Sequence, residues 1–163
     1  ELLTDTYEQL GYGSEYGTWR DIFLSGATEL RHGSFGTPTQ TSAADIVTQL
    51  TPAMLFDALA IQVHGPRCWD EQLTLDVVLT DTDERYRLRL ANGVLTYSPR
   101  PQRGVPDATI TTTSPTLPMM ALGMLSADGF DAAGVEISGD ATALPRLVAA
   151  LDPGDPDFAI VTP

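Results

Sequence analysis

The sequence predicts an α+β fold, with an antiparallel or mixed sheet of about five strands covered by helices on one face and preceded by a short helical appendage. Three observations predict it. Apolar and polar residues alternate over 73–79 and again over 85–90, the period-two pattern of half-buried strands. Asn92-Gly93 stands between two such stretches and is the dipeptide that a two-residue type I′ hairpin turn favours. Helical apolar periodicity lies mostly outside this strand-rich centre, and such segregation favours helices gathered on one side of a sheet.

The elements follow in order. Leu2, Leu3, Tyr7 and Leu10 form a helical stripe that stops at Gly11-Tyr12-Gly13. Thr18-Trp19-Arg20-Asp21 opens a second helix in a capping-box-like spacing, with Asp in place of Glu. Trp19, Phe23, Gly26 and Leu30 share one of its faces, and Gly33 is a natural stop. Two short helices cannot bury these faces by themselves, so residues 1–33 call for a partner: the rest of the chain, another domain or another subunit. Residues 34–41 lack periodicity and read as a linker, which leaves 42–163 as the second domain.

That domain begins with a helix from about Ser42, with Ile46, Val47 and Leu50 on its apolar side. Thr51-Pro52 then supplies an N-cap and a first helical residue for a strongly apolar helix carrying Met54, Leu55, Phe56, Leu59 and Ile61, ending near His64-Gly65-Pro66. Leu73, Leu75, Val77 and Leu79 point one way along the first strand, and Tyr86, Leu88 and Leu90 along the second. A turn over Asp81–Glu84 would set Leu79 opposite Tyr86, Val77 opposite Leu88, Leu75 opposite Leu90 and Asp76 opposite Arg89. The Asn92-Gly93 turn pairs Leu90 with Leu95 and Leu88 with Tyr97. Further strands are expected at Ala108–Thr113 and Val135–Ser138, with an apolar helix carrying Leu117, Met119, Met120, Leu122, Met124 and Leu125 between them. A last helix starts at Asp140 or Thr142 and turns Leu144, Leu147, Val148 and Leu151 inward. Asp152-Pro153-Gly154 ends it, and Phe158–Val161 reads as a short strand.

The net charge of −13, with nine Arg and no Lys among the basic residues, argues against binding nucleic acid or anionic lipid headgroups. No apolar run reaches membrane-spanning length, so no integral membrane segment is expected. The single cysteine, Cys68, beside Trp69, is simplest as a packed structural thiol. The chain opens inside a helical pattern without an initiator Met, which reads as a piece of a longer protein, and it carries no signal from which to assign a compartment.

Catalytic chemistry finds no foothold. His32 and His64 lack ligand spacing, and a zinc site needs three or four convergent ligands. The acidic stretches at 81–84 and 152–157 lack the calcium-loop pattern and read as a hairpin tip and a Pro-rich loop. No nucleophile elbow occurs, and His64 reads as a helix-end cap. Arg85, Arg87 and Arg89 face outward, where pairing with Asp76 and water accounts for them. The expectation is no catalytic residue, no metal and no cofactor in this chain. What remains is apolar. All four methionines fall in helices that should cover the sheet, and flexible thioethers suit a site for varied apolar ligands. The candidate lining is Met54, Phe56, Leu59, Leu75, Val77, Leu88, Leu90, Met120, Met124 and Leu147. Ordinary core packing explains the same residues. The two accounts divide on whether an elongated apolar cavity of a few hundred Å3 or more is present.

Two stretches carry a family resemblance. Tyr7-Glu8-Gln9-Leu10-Gly11-Tyr12, followed by Thr18-Trp19-Arg20-Asp21-Ile22-Phe23-Leu24-Ser25-Gly26-Ala27-Thr28-Glu29-Leu30-Arg31, resembles the end of the dimerisation region of bacterial alkyl sulfatases. These enzymes of the metallo-β-lactamase superfamily cleave sulfate esters such as dodecyl sulfate. Asp21 stands where the family usually has Asn. Leu50-Thr51-Pro52, Leu55–Ala60, Leu90–Leu95 and Gly134–Asp140 resemble the C-terminal domain of the same enzymes, which is similar to sterol carrier protein type two, an α+β fold with a hydrophobic tunnel. The family's His-x-His-x-Asp-His zinc stretch has no counterpart here. The resemblance therefore implies a non-catalytic accessory piece that binds or shields the alkyl or fatty chain of a substrate. It also implies a homodimer through residues 1–33, and a zinc-dependent hydrolase domain elsewhere in the parent protein. The alternative is a structural, dimerising module with a solid core and no ligand.

Overall fold

The computed structural model describes residues 1–36, 44–99, 103–121, 125–155 and 157–161. The chain forms two compact units, Glu1–Gln40 together with Gly154–Pro163, and Thr41–Pro153.

The first unit is a helical hairpin, α1 (Leu2–Gly13) and α2 (Gly17–His32). The expected capping box at Thr18 does not form. The helix starts two residues earlier, with Tyr16 at the N-cap position and no side-chain cap. The Arg20 guanidinium instead secures the loop, donating to the Ser14 carbonyl at 2.7 and 3.1 Å. Gly33 ends α2 as expected, at φ 83° with its N–H on the Glu29 carbonyl. The helices approach closely at two glycines. A Cβ on Gly11 would lie 2.7 Å from Leu24, and one on Gly26 would lie 3.2 Å from Tyr7 and 3.0 Å from Val161. α1 turns its buried Thr4 and Gly11 toward this contact, which leaves Leu2, Leu3 and Leu10 exposed. Trp19 stacks on Phe23 at 5.9 Å but is itself 57% exposed, and Ile22 is exposed beside it.

No strand forms over Phe158–Val161; the C-terminal segment is held by a carboxylate. Glu29, 2% exposed, accepts the N–H groups of Ile160 at 2.5 Å and Val161 at 3.0 Å. Ser34 donates its hydroxyl to the Asp157 carbonyl. A carboxylate withdrawn from water is tolerable only when such donors replace its hydration.

The second unit is the α+β domain. Its first helix, α3 (Ala44–Val47), is described over a single turn; Ile46 is 52% exposed, whereas Leu50 packs against the core as expected. The proposed start at Ser42 lies outside the described residues. α4 (Pro52–Ile61) begins as the sequence predicts, with the Thr51 hydroxyl accepting the Met54 N–H and Pro52 in the first turn. The sheet contains β1 (Gln72–Leu79), β2 (Glu84–Ala91), β3 (Val94–Ser98), β4 (Ala108–Thr112) and β5 (Glu136–Gly139), in the order β3-β2-β1-β4-β5. It is mixed: β1 and β4 run parallel, and the other neighbours are antiparallel. α5 (Thr116–Ala121) and α6 (Ala143–Ala149) complete the domain, and Leu122 and Met124 lie outside the described residues.

The β1–β2 register differs from the expected one by two residues. Val77 faces Tyr86, Leu75 faces Leu88, Leu73 faces Leu90, and Asp76 faces Arg87 rather than Arg89. The loop is Thr80–Asp83, four residues like the expected one but one position earlier, closed by Asp83 at φ 56°. A two-residue shift keeps every side chain on its face, so the apolar pattern alone cannot detect it. The Asn92-Gly93 turn has both residues at positive φ and sets Leu90 opposite Leu95, as expected. On the outer face Asp76 receives a bidentate pair from Arg87 at 2.6 and 2.7 Å. Arg87 also donates to the carbonyls of Arg103 and Gly104, tying the chain between β3 and β4 across the sheet.

Glu29→Ala leaves two backbone donors without their acceptor. It is expected to destabilise the first unit by about 2 kcal/mol and to hasten proteolysis of the C-terminal segment. Urea unfolding and limited proteolysis read by mass spectrometry check this; cleavage at the wild-type rate would show that the segment is held by something else.

Candidate functional site

Within the second unit, an apolar cavity of about 200 Å3 lies between the inner face of the sheet and its helices. Its floor is Leu75 and Val77 of β1, Leu88 of β2 and Ile110 of β4, all at most 3% exposed. α4 contributes Phe56 and Leu59, and α5 contributes Leu117 and Met120. Leu144, Leu147 and Val148 enter from α6, and Leu125 and Phe130 from the segment between α5 and β5. Val148 is 58% exposed, so the cavity reaches the surface along α6.

Every described lining residue is apolar. Water in such a space finds few hydrogen-bond partners, whereas hydrocarbon meets dispersion contacts along the walls. Scaled from the roughly 150 Å3 cavity that accepts benzene, this space holds on the order of eight carbons. It is smaller than the few hundred Å3 expected from the sequence. Phe56 is an anchor of the adjacent solid core, with ring centroids 5.2 Å from Tyr86 and 5.4 Å from Tyr97. Burial pushes the Tyr86 hydroxyl above the ordinary tyrosine pKa, and the Glu84 carboxylate adds to the shift.

The structure brings Phe56, Leu59, Leu75, Val77, Leu88, Met120 and Leu147 together around the cavity. Two candidates are elsewhere. Met54 is 52% exposed and off the wall: α4 is apolar on nearly every side, so periodicity could not choose its buried face. Leu90 is 1% exposed but belongs to the solid core, opposite Leu73 and Leu95. Met124 lies outside the described residues. Ile110 was legible in principle from the alternation of β4, whereas Phe130 sits among Ala, Asp and Gly residues that give no period.

The polar candidates have structural occupations. His64 Nδ1 accepts the Arg67 N–H and caps the 3-10 turn Gly65–Cys68. Cys68 is buried, with its thiol toward the His64 carbonyl. Asp81 accepts from the N–H and hydroxyl of Ser114, and the backbone donor holds its carboxyl below the usual range. Arg146 of α6 is engaged by Glu71, the Gln72 carbonyl and Asp140. Among the described residues no three His, Cys, Asp or Glu side chains are grouped to hold a metal ion, so they do not fit a zinc centre. Among the same residues no helix is long and apolar enough to cross a membrane.

Residues 40–163 match the family described as alkyl sulfatase C-terminal, and residues 1–33 match alkyl sulfatase dimerisation. A linear primary-alkylsulfatase of Pseudomonas sp is 38% identical over 99% of this chain and 24% of its own length. The solved stereoselective inverting sec-alkylsulfatase Pisa1 from Pseudomonas sp. is 35% identical, with a TM-score of 0.77 over 95% of this chain and 24% of that one. Palmitated SCP2L2 from Aedes aegypti is a more distant likeness, at 16% identity and a TM-score of 0.46 over 61% of this chain and 93% of that one. The chain spans about a quarter of the length of the curated relatives it matches.

The raised Tyr86 pKa has a consequence for stability. The folded state favours the neutral phenol, so this contribution is complete below the unfolded value of roughly 10 and is lost as pH rises through the folded value. Urea melts across this alkaline range are expected to show a steeper loss for wild type than for Tyr86→Phe. Equal slopes would mean that the hydroxyl is not desolvated.

Proposed function

This chain belongs to the alkyl sulfatase family, carrying its dimerisation and C-terminal regions, and on that premise we propose that the second unit binds or shields the alkyl chain of an amphiphilic sulfate ester. The observation that carries this reading is the uniformly apolar cavity on the inner face of the sheet. Its described lining residues offer no polar side chain to a sulfate headgroup, and the net charge of −13 offers that anion no attraction over distance. The tail is the part of such a molecule that this domain suits. Each methylene moved from water into the cavity contributes about 0.8 kcal/mol before ordering costs. Ester hydrolysis, and the zinc that would supply an activated hydroxide for it, are assigned to the part of a longer parent protein beyond this quarter-length piece.

A second reading concerns the first unit and coexists with the first. Leu2, Leu3, Leu10, Trp19 and Ile22 are exposed on the helical hairpin. A set of large apolar side chains on one small unit suits a subunit interface. The match of residues 1–33 to a dimerisation region supports a homodimer.

Octyl sulfate, titrated below its micelle concentration against a bound fluorescent fatty acid, is expected to displace the probe at one saturable site. Leu144→Gln, at the half-exposed rim, is expected to weaken this binding about tenfold without unfolding the domain. Unsaturable uptake by both proteins would leave only the solid-core reading. Separately, sedimentation equilibrium is expected to show a dimer that Ile22→Glu converts to a monomer. A wild-type chain that stays monomeric at high concentration would remove the second reading.

A further inference from the structure

We infer that Phe130 sets the length of chain the cavity accepts. This inference rests on the reading of the cavity as an alkyl-chain site and adds to it a specificity-determining residue.

The walls of the cavity are unequal. The floor residues Leu75, Val77, Leu88 and Ile110 sit on strands β1, β2 and β4, each paired on both sides. Moving any of them breaks ladder hydrogen bonds. Phe130 enters from the opposite side on a segment of two single-turn 3-10 helices, Ala127–Gly129 and Asp131–Ala133. Among the described residues, the backbone hydrogen bonds of this segment are local, and the Phe130 carbonyl also accepts the N–H of Val135, just before β5, at 2.9 Å. Phe130 donates to Ala127 at 3.2 Å, Ala133 donates to Phe130 at 3.0 Å, and Gly134 donates to Asp131 at 3.2 Å. At its far end Gly134 turns at φ 70°, and Val135, 2% exposed, anchors the return to the sheet.

Phe130 therefore occupies the cavity as a side chain without being fixed there by the backbone ladder. It is half-buried and the larger of the segment's two described lining side chains, the other being Leu125. On this inference the ring ends a space sized for about eight carbons, and further methylenes have to displace it or remain in water. Affinity then rises about fourfold for each added methylene while the chain fits and flattens beyond.

The test is a chain-length series. n-Alkyl sulfates from six to fourteen carbons, each below its micelle concentration, are titrated against the wild-type chain, Phe130→Ala, Phe130→Leu and Phe130→Trp, with thermal unfolding as the control for folding. Wild type is expected to level off near eight carbons. Alanine is expected to carry the rise further by several carbons, leucine by fewer, and tryptophan is expected to end it earlier. If the alanine variant does not fold, the leucine and tryptophan variants still move the plateau in opposite directions. A plateau at the same length in every folded variant would overturn the role of Phe130 and leave the alkyl-chain site standing. Saturable binding by none of the proteins, wild type included, would overturn the site itself and this inference with it.

Discussion

The architecture turns on a mismatch of length between the two layers of the second unit. β1 has eight residues, about 27 Å of extended chain. Over their described residues the helices facing the sheet are short: ten residues in α4, six in α5 and seven in α6, or about 15, 9 and 10 Å. One face of the sheet is almost wholly apolar and has to be kept from water. Where α4 lies over it, Phe56, Tyr86 and Tyr97 interlock and the core is solid. Where the short helices meet, their side chains enclose the face without filling it, and a space whose described lining residues are all apolar remains. Interiors are ordinarily packed as tightly as organic crystals, so a void of this size forfeits contacts that a guest chain restores.

Much of this was written in local patterns. Alternation marked both faces of β1 and β2, Asn92-Gly93 fixed the β2–β3 register, and Thr51-Pro52 fixed the start of α4, because each depends on residues only a few positions apart. The illegible parts depend on distant partners. Nothing near Ala108 announces that β4 runs parallel to β1. The β1–β2 register is not legible in the pattern, because a two-residue shift leaves the faces unchanged and moves a four-residue turn by only one position. α4 carries apolar residues on nearly all sides, so Met54 was placed in the wall, while Phe130 stands in a segment without a period. In the first unit, the stripe Leu2, Leu3 and Leu10 was visible, but its direction was not. Two small residues, Gly11 and Gly26, bring the helices together and turn that stripe to the surface.

Buried polar groups divide the labour differently in the two units. Glu29 holds a terminal segment through two backbone donors, and Arg87 holds the β3–β4 connection through two carbonyls while paired with Asp76. Both charges are satisfied by backbone groups far away in sequence, which specifies one path for a segment with little apolar content. Neither lies at the cavity, whose lining is free of polar side chains.

Methyl-resolved NMR with octyl sulfate below its micelle concentration tests the central claim most directly. The account predicts intermolecular NOEs from the chain to the methyl groups of Val77, Ile110 and Met120 on the inner wall. NOEs confined to exposed side chains such as Ile61, Val94 and Val105 would contradict it, because the chain would then lie on the surface and the interior space would serve no guest.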